Sequence, residues 1–320
     1  MTTPQQSIGS GFGARSTAAD VLRGVDLTGS LAVVTGGYSG LGLETTRALA
    51  GAGARVVVPA RRPEAAEESV GGIAGVEVDT LDLADLGSVR AFADRFLETG
   101  RTIDIMINSA AVMACPETRV GPGWEAQFAV NHLGHYALAN RLRPALAPGG
   151  ARVVSVSSAG HRHSPVRWDD VHFETGYDKW KAYGQAKTAN ALFAVRLDTL
   201  GRDLGVRAFS LHPGGILTPL QRHLPVEEMV AAGWIDKSGT PVNPSFKTPE
   251  QGAATQVWAA TSPLLDGEGG VYCEDCDIAG LASDDPSASG GVQGYAVDPE
   301  EAARLWELSA ELTGLDAFGG

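Results

Sequence analysis

Short apolar runs alternate with helix-length stretches along most of this chain. "LAVVTGG" (31–37), "ARVVVPA" (54–60), "VEVDTLDL" (76–83), "IDIMINSAA" (103–111), "ARVVSVSS" (151–158) and "VRAFSLHPGG" (206–215) have the length and β-branched content of strands. Between them, "LETTRALAGAG", "GSVRAFADRFLETG", "WEAQFAVNHLGHYALANRLRPAL" and "KAYGQAKTANALFAVRLDTLG" read as helices. Strands this uniformly apolar are buried on both faces, the mark of a parallel sheet between two layers of helices. The pattern therefore predicts an α/β fold with a doubly wound parallel sheet. Ligands of such sheets bind beyond the carboxyl ends of the strands.

The two ends break the alternation. Residues 1–15 are polar and Gly/Ser-rich and are expected to form a flexible arm; "STAADVL" then offers a serine N-cap and a short helix. Past residue 215 comes a proline-containing segment, about 216–250, that suits a lid or substrate loop better than a separate domain. "PEQGAATQVWAAT" and "DPEEAARLWELSAELTG" predict two further helices, and "LASDDPSASGGVQG" an exposed loop. The expected division is an arm and short helix over 1–28 and a single domain over 29–320, with a C-terminal extension over about 263–320.

Composition narrows the function. The chain has 320 residues, 43% hydrophobic and 20% charged, an ordinary globular balance. A formal charge of −13 argues against nucleic acid or an anionic membrane as partner, while leaving room for a local basic pocket. No apolar run approaches the roughly 18 residues of a membrane span, and no secretory signal is expected from the polar start. Three cysteines do not suggest a disulfide framework. A reduced, cytoplasmic protein is expected.

Candidate chemistry starts at "TGGYSGLG" (35–42), after the first strand and opening a helix. Gly36, Gly40 and Gly42 permit a tight turn and a close backbone approach to a pyrophosphate, whose charge meets the helix N-terminus. This makes the sheet a Rossmann-type one. An acidic residue at the end of the second strand would bind the ribose of NAD; here Arg61 and Arg62 stand, which suit a 2′-phosphate. NADP(H) is favoured, with NAD(H) left open. "AYGQAK" (182–187) sets Tyr183 and Lys187 one helical turn apart on one face.

"TGGYSGLG", "NSAA" (108–111), "NHLGHY" (131–136), "VVSVSS" (153–158), "YGQAK" (183–187) and "HPGGILT" (212–218) occur in that order. In this the chain resembles the short-chain dehydrogenase/reductases over roughly 29–262, and most of all their retinol dehydrogenase, protochlorophyllide reductase and WW-domain oxidoreductase branch. The resemblance implies a catalytic tetrad of Asn131, Ser158, Tyr183 and Lys187. It implies cofactor contacts from Gly36, Tyr38, Ser39, Gly40, Leu41 and Gly42, from Arg61 and Arg62, and from Asp82 and Leu83 at the adenine. Asn108 and Ala110, Pro213, Gly214, Ile216 and Thr218 complete the set with Tyr183 and Lys187.

The implied activity is a carbonyl–alcohol interconversion by hydride transfer. A free tyrosine titrates near pH ~10, and a nearby cation favours its phenolate, so Lys187 would tune Tyr183 as general acid/base. Ser158 would hold the substrate oxygen, and Asn131 a water relaying protons to Lys187. Reduction of a carbon–carbon double bond by the same pair and a non-catalytic dinucleotide sensor are the alternatives. The partner expected is a small carbonyl or alcohol compound, with "AVMA" and the 216–250 segment hinting at a lipophilic one, and a homodimer or homotetramer is expected. Two departures stand out. "NSAA" replaces the usual "NNAG", and a long insert separates Ser158 from Tyr183 and must loop out. "CEDC" (273–276) lacks a second ligand pair and "HRH" (161–163) a carboxylate, so no metal site is expected; "CEDC" reads as structural thiols or turn residues and "HRH" as solvated loop or substrate rim.

Overall fold

The apolar runs fold as their alternation predicts, each strand somewhat shorter than its run. The computed structural model describes residues 3–283 and 290–319. Its first half contains α1 (Ala18–Val21), β1 (Leu31–Thr35), α2 (Gly40–Gly51), β2 (Arg55–Ala60), α3 (Pro63–Val70), β3 (Val76–Thr80), α4 (Leu86–Glu98) and β4 (Ile105–Asn108). A small hairpin, β5 (Arg119–Val120) and β6 (Trp124–Glu125), leads into α5 (Ala126–Phe128), a π-helical turn (Ala129–Leu133) and α6 (Gly134–Leu142). β7 (Ala151–Val156), α7 (Lys179–Gly201) and β8 (Val206–His212) follow. The chain then runs through α8 (Val226–Ala231), α9 (Pro249–Thr261), β9 (Val271–Glu274), β10 (Asp277–Ile278) and α10 (Pro299–Thr313).

Among the described residues one sheet holds eight strands in the order β10-β9-β8-β7-β4-β1-β2-β3, all pairs parallel except β9 with β10. Side chains alternate across it. Leu31 and Val33 of β1 join one core layer with Phe92, Tyr136 and Leu197, while Ala32 and Val34 join the other with Leu49, Val257 and Trp258. Both faces are dry, which is why both sets of positions are apolar. Strand order reverses at β1, flanked by β2 and β4, and the crevice at that switch point is where such sheets bind ligands.

Three expectations are corrected. The long helix over 124–146 is broken at its start. Trp124–Glu125 pairs with Arg119–Val120, and the buried Glu125 carboxylate caps the next turn by accepting Gln127 N–H at 3.0 Å and Phe128 N–H at 2.7 Å. The first helix is capped by Thr17 rather than the serine before it, because Asp20 closes a capping box with Thr17. "CEDC" ends β9 and turns into β10 in a hairpin, as structural thiols and turn residues, with Asp275 at φ 51° and Cys276 at φ 60°; Cys273 and Cys276 are buried free thiols. The arm expected to be flexible is hydrogen-bonded to this hairpin. Gln5 Nε2 donates to Tyr272 O and Ala279 O, Gln5 Oε1 accepts Tyr272 N–H, and Asp277 accepts from Ser7 and Ile8. The exposed loop predicted over 281–294 falls partly on 284–289, outside the described residues.

Candidate active site

The glycine loop is built from close contacts. Gly36 has φ 67°, and a Cβ there would lie 3.0 Å from Ala110 Cα. A Cβ on Gly42 would collide with the Gly36 carbonyl, so the loop folds onto the first turn of α2 only without a side chain at that position. A Cβ on Gly40 would come within 3.2 Å of Thr218, so the loop and the segment after β8 approach across the crevice. Thr35, at the end of β1, accepts the N–H groups of Ser109 and Ala110 at 3.0 and 3.1 Å. "NSAA" therefore keeps its strand packing through a threonine hydroxyl.

A cavity of about 600 Å³ runs along this crevice. Gly36, Tyr38, Ser39, Gly40, Leu41 and Gly42 line one stretch of it, as do Arg61, Arg62, Asp82, Leu83 and Ala110. Pro213, Gly214, Ile216 and Thr218 line it from β8 onward, and Ser158, Tyr183 and Lys187 line it too. Arg61 and Arg62 are exposed at the end of β2 and, among the described residues, neither has an ion-pair partner.

Helix α7 starts at the Asp178 N-cap, which accepts Trp180 N–H and Lys181 N–H, and carries Tyr183 and Lys187 inward on one face. Tyr183 is 3% exposed, and burial pushes its hydroxyl up to about 12, opposed by a hydrogen bond with Ser158. Lys187 is equally buried; burial lowers its ammonium to about 7, and its Nζ donates to Val156 O at 2.8 Å. That Nζ lies 5.6 Å from the centre of the Tyr183 ring. The two serines after β7 differ. Ser157 Oγ donates to Lys187 O at 2.6 Å and is spent on holding α7, whereas Ser158 Oγ accepts Gly160 N–H at 3.0 Å and faces the Tyr183 hydroxyl.

Two predicted residues lie off the cavity wall. Asn131 is buried in the π-helical turn, where its amide clamps the Val112 backbone, accepting N–H at 2.8 Å and donating to the carbonyl at 2.9 Å. Its main-chain carbonyl accepts His135 Nδ1–H at 2.9 Å, and His135 Nε2 then accepts the Thr35 hydroxyl at 2.8 Å. Asn108 ends β4 inside the sheet, flanked by Thr35 and Ser155, and both its amide atoms are buried without a partner.

Sequence reading missed several residues that shape this site. Gly160 lies against Tyr183: a Cβ there would sit 2.7 Å from Tyr183 Cε1. His161, expected in a solvated loop, is fully buried. It bonds Ser158 O through Nδ1 at 2.7 Å and accepts Gln293 N–H on Nε2 at 3.0 Å, and burial lowers it to about 4, so it is neutral. Trp180, Trp234 and Phe246 also line the cavity. Trp180 had a signal in its spacing, three residues before Tyr183 on the same helix face, and Trp234 and Phe246 fall in the 216–250 segment expected to form a substrate loop.

Comparison with known proteins agrees with this architecture. The short chain dehydrogenase family model matches residues 30–228. A Streptomyces lividans protein named "Probable oxidoreductase" is 48% identical over 297 residues, spanning 90% of this chain and 98% of that one. Retinol dehydrogenase 12 of Mus musculus is 35% identical over 298 residues, spanning 91% and 88%. The crystal structure of an uncharacterized protein from Mycobacterium paratuberculosis matches with a TM-score of 0.71 at 33% identity, over 94% of this chain and 98% of that one. No helix among the described residues is long and apolar enough to cross a membrane. With the family model over most of its length and full-length relatives at this identity, the chain belongs to the short-chain dehydrogenase family and is an oxidoreductase.

Proposed function

We propose that the protein uses a nicotinamide dinucleotide to interconvert a carbonyl and an alcohol, with Tyr183 giving and taking the proton. The observation that carries this is the convergence of Tyr183, Ser158 and Lys187 on the cavity that also passes the glycine loop. The chain's residues fit such a cofactor. The loop admits no side chain at Gly42, the first turn of α2 faces the cavity, and Arg61 and Arg62, without an ion-pair partner among the described residues, line it at the end of β2 and suit a ribose phosphate. The nicotinamide, when bound, supplies or accepts the hydride.

Tyr183, held protonated at neutral pH by burial, is poised to donate to a carbonyl oxygen; in the reverse direction it takes the alcohol proton. Lys187 titrates near 7, so it is partly charged at neutral pH, and its charged form favours the phenolate left after donation. Ser158, beside the Tyr183 hydroxyl, donates to the same substrate oxygen. Asn131 acts by position, fastening Val112 beside the cavity-lining Met113. Arg61 and Arg62 favour NADP(H).

Incubation with NADPH and a panel of aldehydes and ketones, followed at the nicotinamide absorbance, tests this reading. Oxidation of NADPH with formation of the matching alcohol supports it. Tight NADPH binding with no turnover on any carbonyl contradicts it. Arg61→Ala is expected to weaken NADPH binding roughly tenfold or more with little change for NADH, as loss of a charge-assisted bond implies; equal losses contradict the phosphate assignment.

A further inference from the structure

The cavity beside Tyr183 is walled by Met113, Trp180, Leu220, Trp234 and Phe246. Its rings meet at steep angles. Trp180 lies 6.3 Å from Tyr183 at 82°, Trp234 lies 6.1 Å from Trp180 at 86°, and Phe246 lies 6.1 Å from Trp234 at 54°. Aromatic quadrupoles favour such edge-to-face sets, and one more planar ring extends the set where an alkyl chain gains only contact area. Trp180 is the middle member, between Tyr183 and Trp234. Its indole N–H has one acceptor. Glu228, on α8, takes Trp180 Nε1–H on one carboxylate oxygen at 2.8 Å and Lys179 Nζ on the other at 2.5 Å. The bond from Lys179 holds the carboxylate below its usual range, in its charged form. Both partners of the Lys179–Glu228 pair are about a third exposed, at 30% and 32%, so that pair contributes little by itself. The directed bond to the indole is what fixes the ring. Glu228 itself does not line the cavity.

We propose that Glu228 is a specificity-determining residue: by locking Trp180, it shapes the Tyr183 end of the cavity to take a carbonyl or alcohol borne on a planar, apolar ring. This rests on the reading of Tyr183 given above. Acidic side chains are absent from the described lining except for Asp82, on the stretch assigned to the cofactor, and the one cation of that lining near the aromatic wall is Arg222.

Steady-state kinetics with NADPH and two aldehydes of equal carbon number, benzaldehyde and heptanal, tests the assignment. Wild type is expected to prefer benzaldehyde in kcat/KM. Glu228→Ala is expected to raise KM for benzaldehyde roughly tenfold while changing its kcat less than about twofold, the scale of one lost hydrogen bond to a charged acceptor. KM for heptanal and the affinity for NADPH stay where they were. Glu228→Gln, whose amide oxygen still accepts the indole N–H, recovers most of the loss, and Lys179→Met stays near wild type. Should Glu228→Ala fold poorly, Trp180→Leu carries the same test. An unchanged benzaldehyde-to-heptanal ratio, an equal loss on both, or a wild type that prefers heptanal overturns the proposal and leaves Tyr183 untouched. A wild type that turns over neither aldehyde, nor any other carbonyl, overturns the Tyr183 reading and this proposal with it.

Discussion

Gly160 touches the ring that the proposed chemistry depends on. Its missing Cβ leaves room for Tyr183, and an alanine there would push the ring at Cδ1 and Cε1, 2.9 and 2.7 Å away. Misplacing a reacting group by less than about 1 Å costs up to roughly 100-fold, so Gly160→Ala is expected to lower kcat/KM by about 10- to 100-fold with NADPH affinity retained. Kinetics beside a binding titration checks this. Lys187 gives a stability prediction of definite sign. Its folded pKa, about 7, lies below the ordinary value of 10.5, so between those values the unfolded chain binds the extra proton and stability rises with pH. At and below pH ~7 the burial cost is fully present. Lys187→Met removes that cost without stranding its acceptor, because Asn190 Nδ2 also donates to Val156 O at 3.0 Å. The variant should therefore melt higher than wild type at pH 7, and the gain should shrink towards pH ~9.5. A gain that grows with pH contradicts the assigned shift. That Tyr183 and Lys187 share a face was legible because a helix repeats its face every turn, while their proposed role came from the resemblance. Gly160 and His161 were not, since the insert has no periodicity and only the folded turn brings them under α7.

At the scale of elements, α2 is the one whose start matters most. Alanine in a first turn normally favours a helix, yet at Gly42 its Cβ would strike the Gly36 carbonyl. Gly42→Ala is expected to destabilise by about 1–3 kcal/mol, the cost of overpacking, and to abolish dinucleotide binding. Urea unfolding with an NADPH titration measures both, and a stabilised variant that still binds contradicts the cradle. The strands were readable because two dry faces demand apolar residues at successive positions. The break before α5 was not, because Glu125 reads as an ordinary helix residue until its burial and capping bonds are seen. β9 and β10 went unread for a related reason: strands of four and two residues are too short to show a pattern of their own.

Over the whole molecule, the start of the chain is tied to its last third. Gln5 pairs with Tyr272 of β9, and Arg15 donates to Pro244 O at 2.6 Å and Phe246 O at 2.8 Å, on the loop that gives the cavity one of its rings. Removing residues 1–16 is expected to lower Tm by roughly 3–6 °C and to raise the substrate KM, with NADPH affinity unchanged. Such long-range ties leave no trace in local sequence patterns. The doubly wound parallel sheet, by contrast, followed from the alternation of elements, and its strand order, seen in the folded chain, sets the crevice where every later step of the account is placed. The measurement that tests the central claim most directly is NADPH binding and carbonyl turnover in wild type and Tyr183→Phe side by side. The account predicts equal NADPH affinity in the two proteins and turnover lost in the variant by at least about 100-fold, the scale of a missing general acid. Turnover that survives in Tyr183→Phe contradicts it.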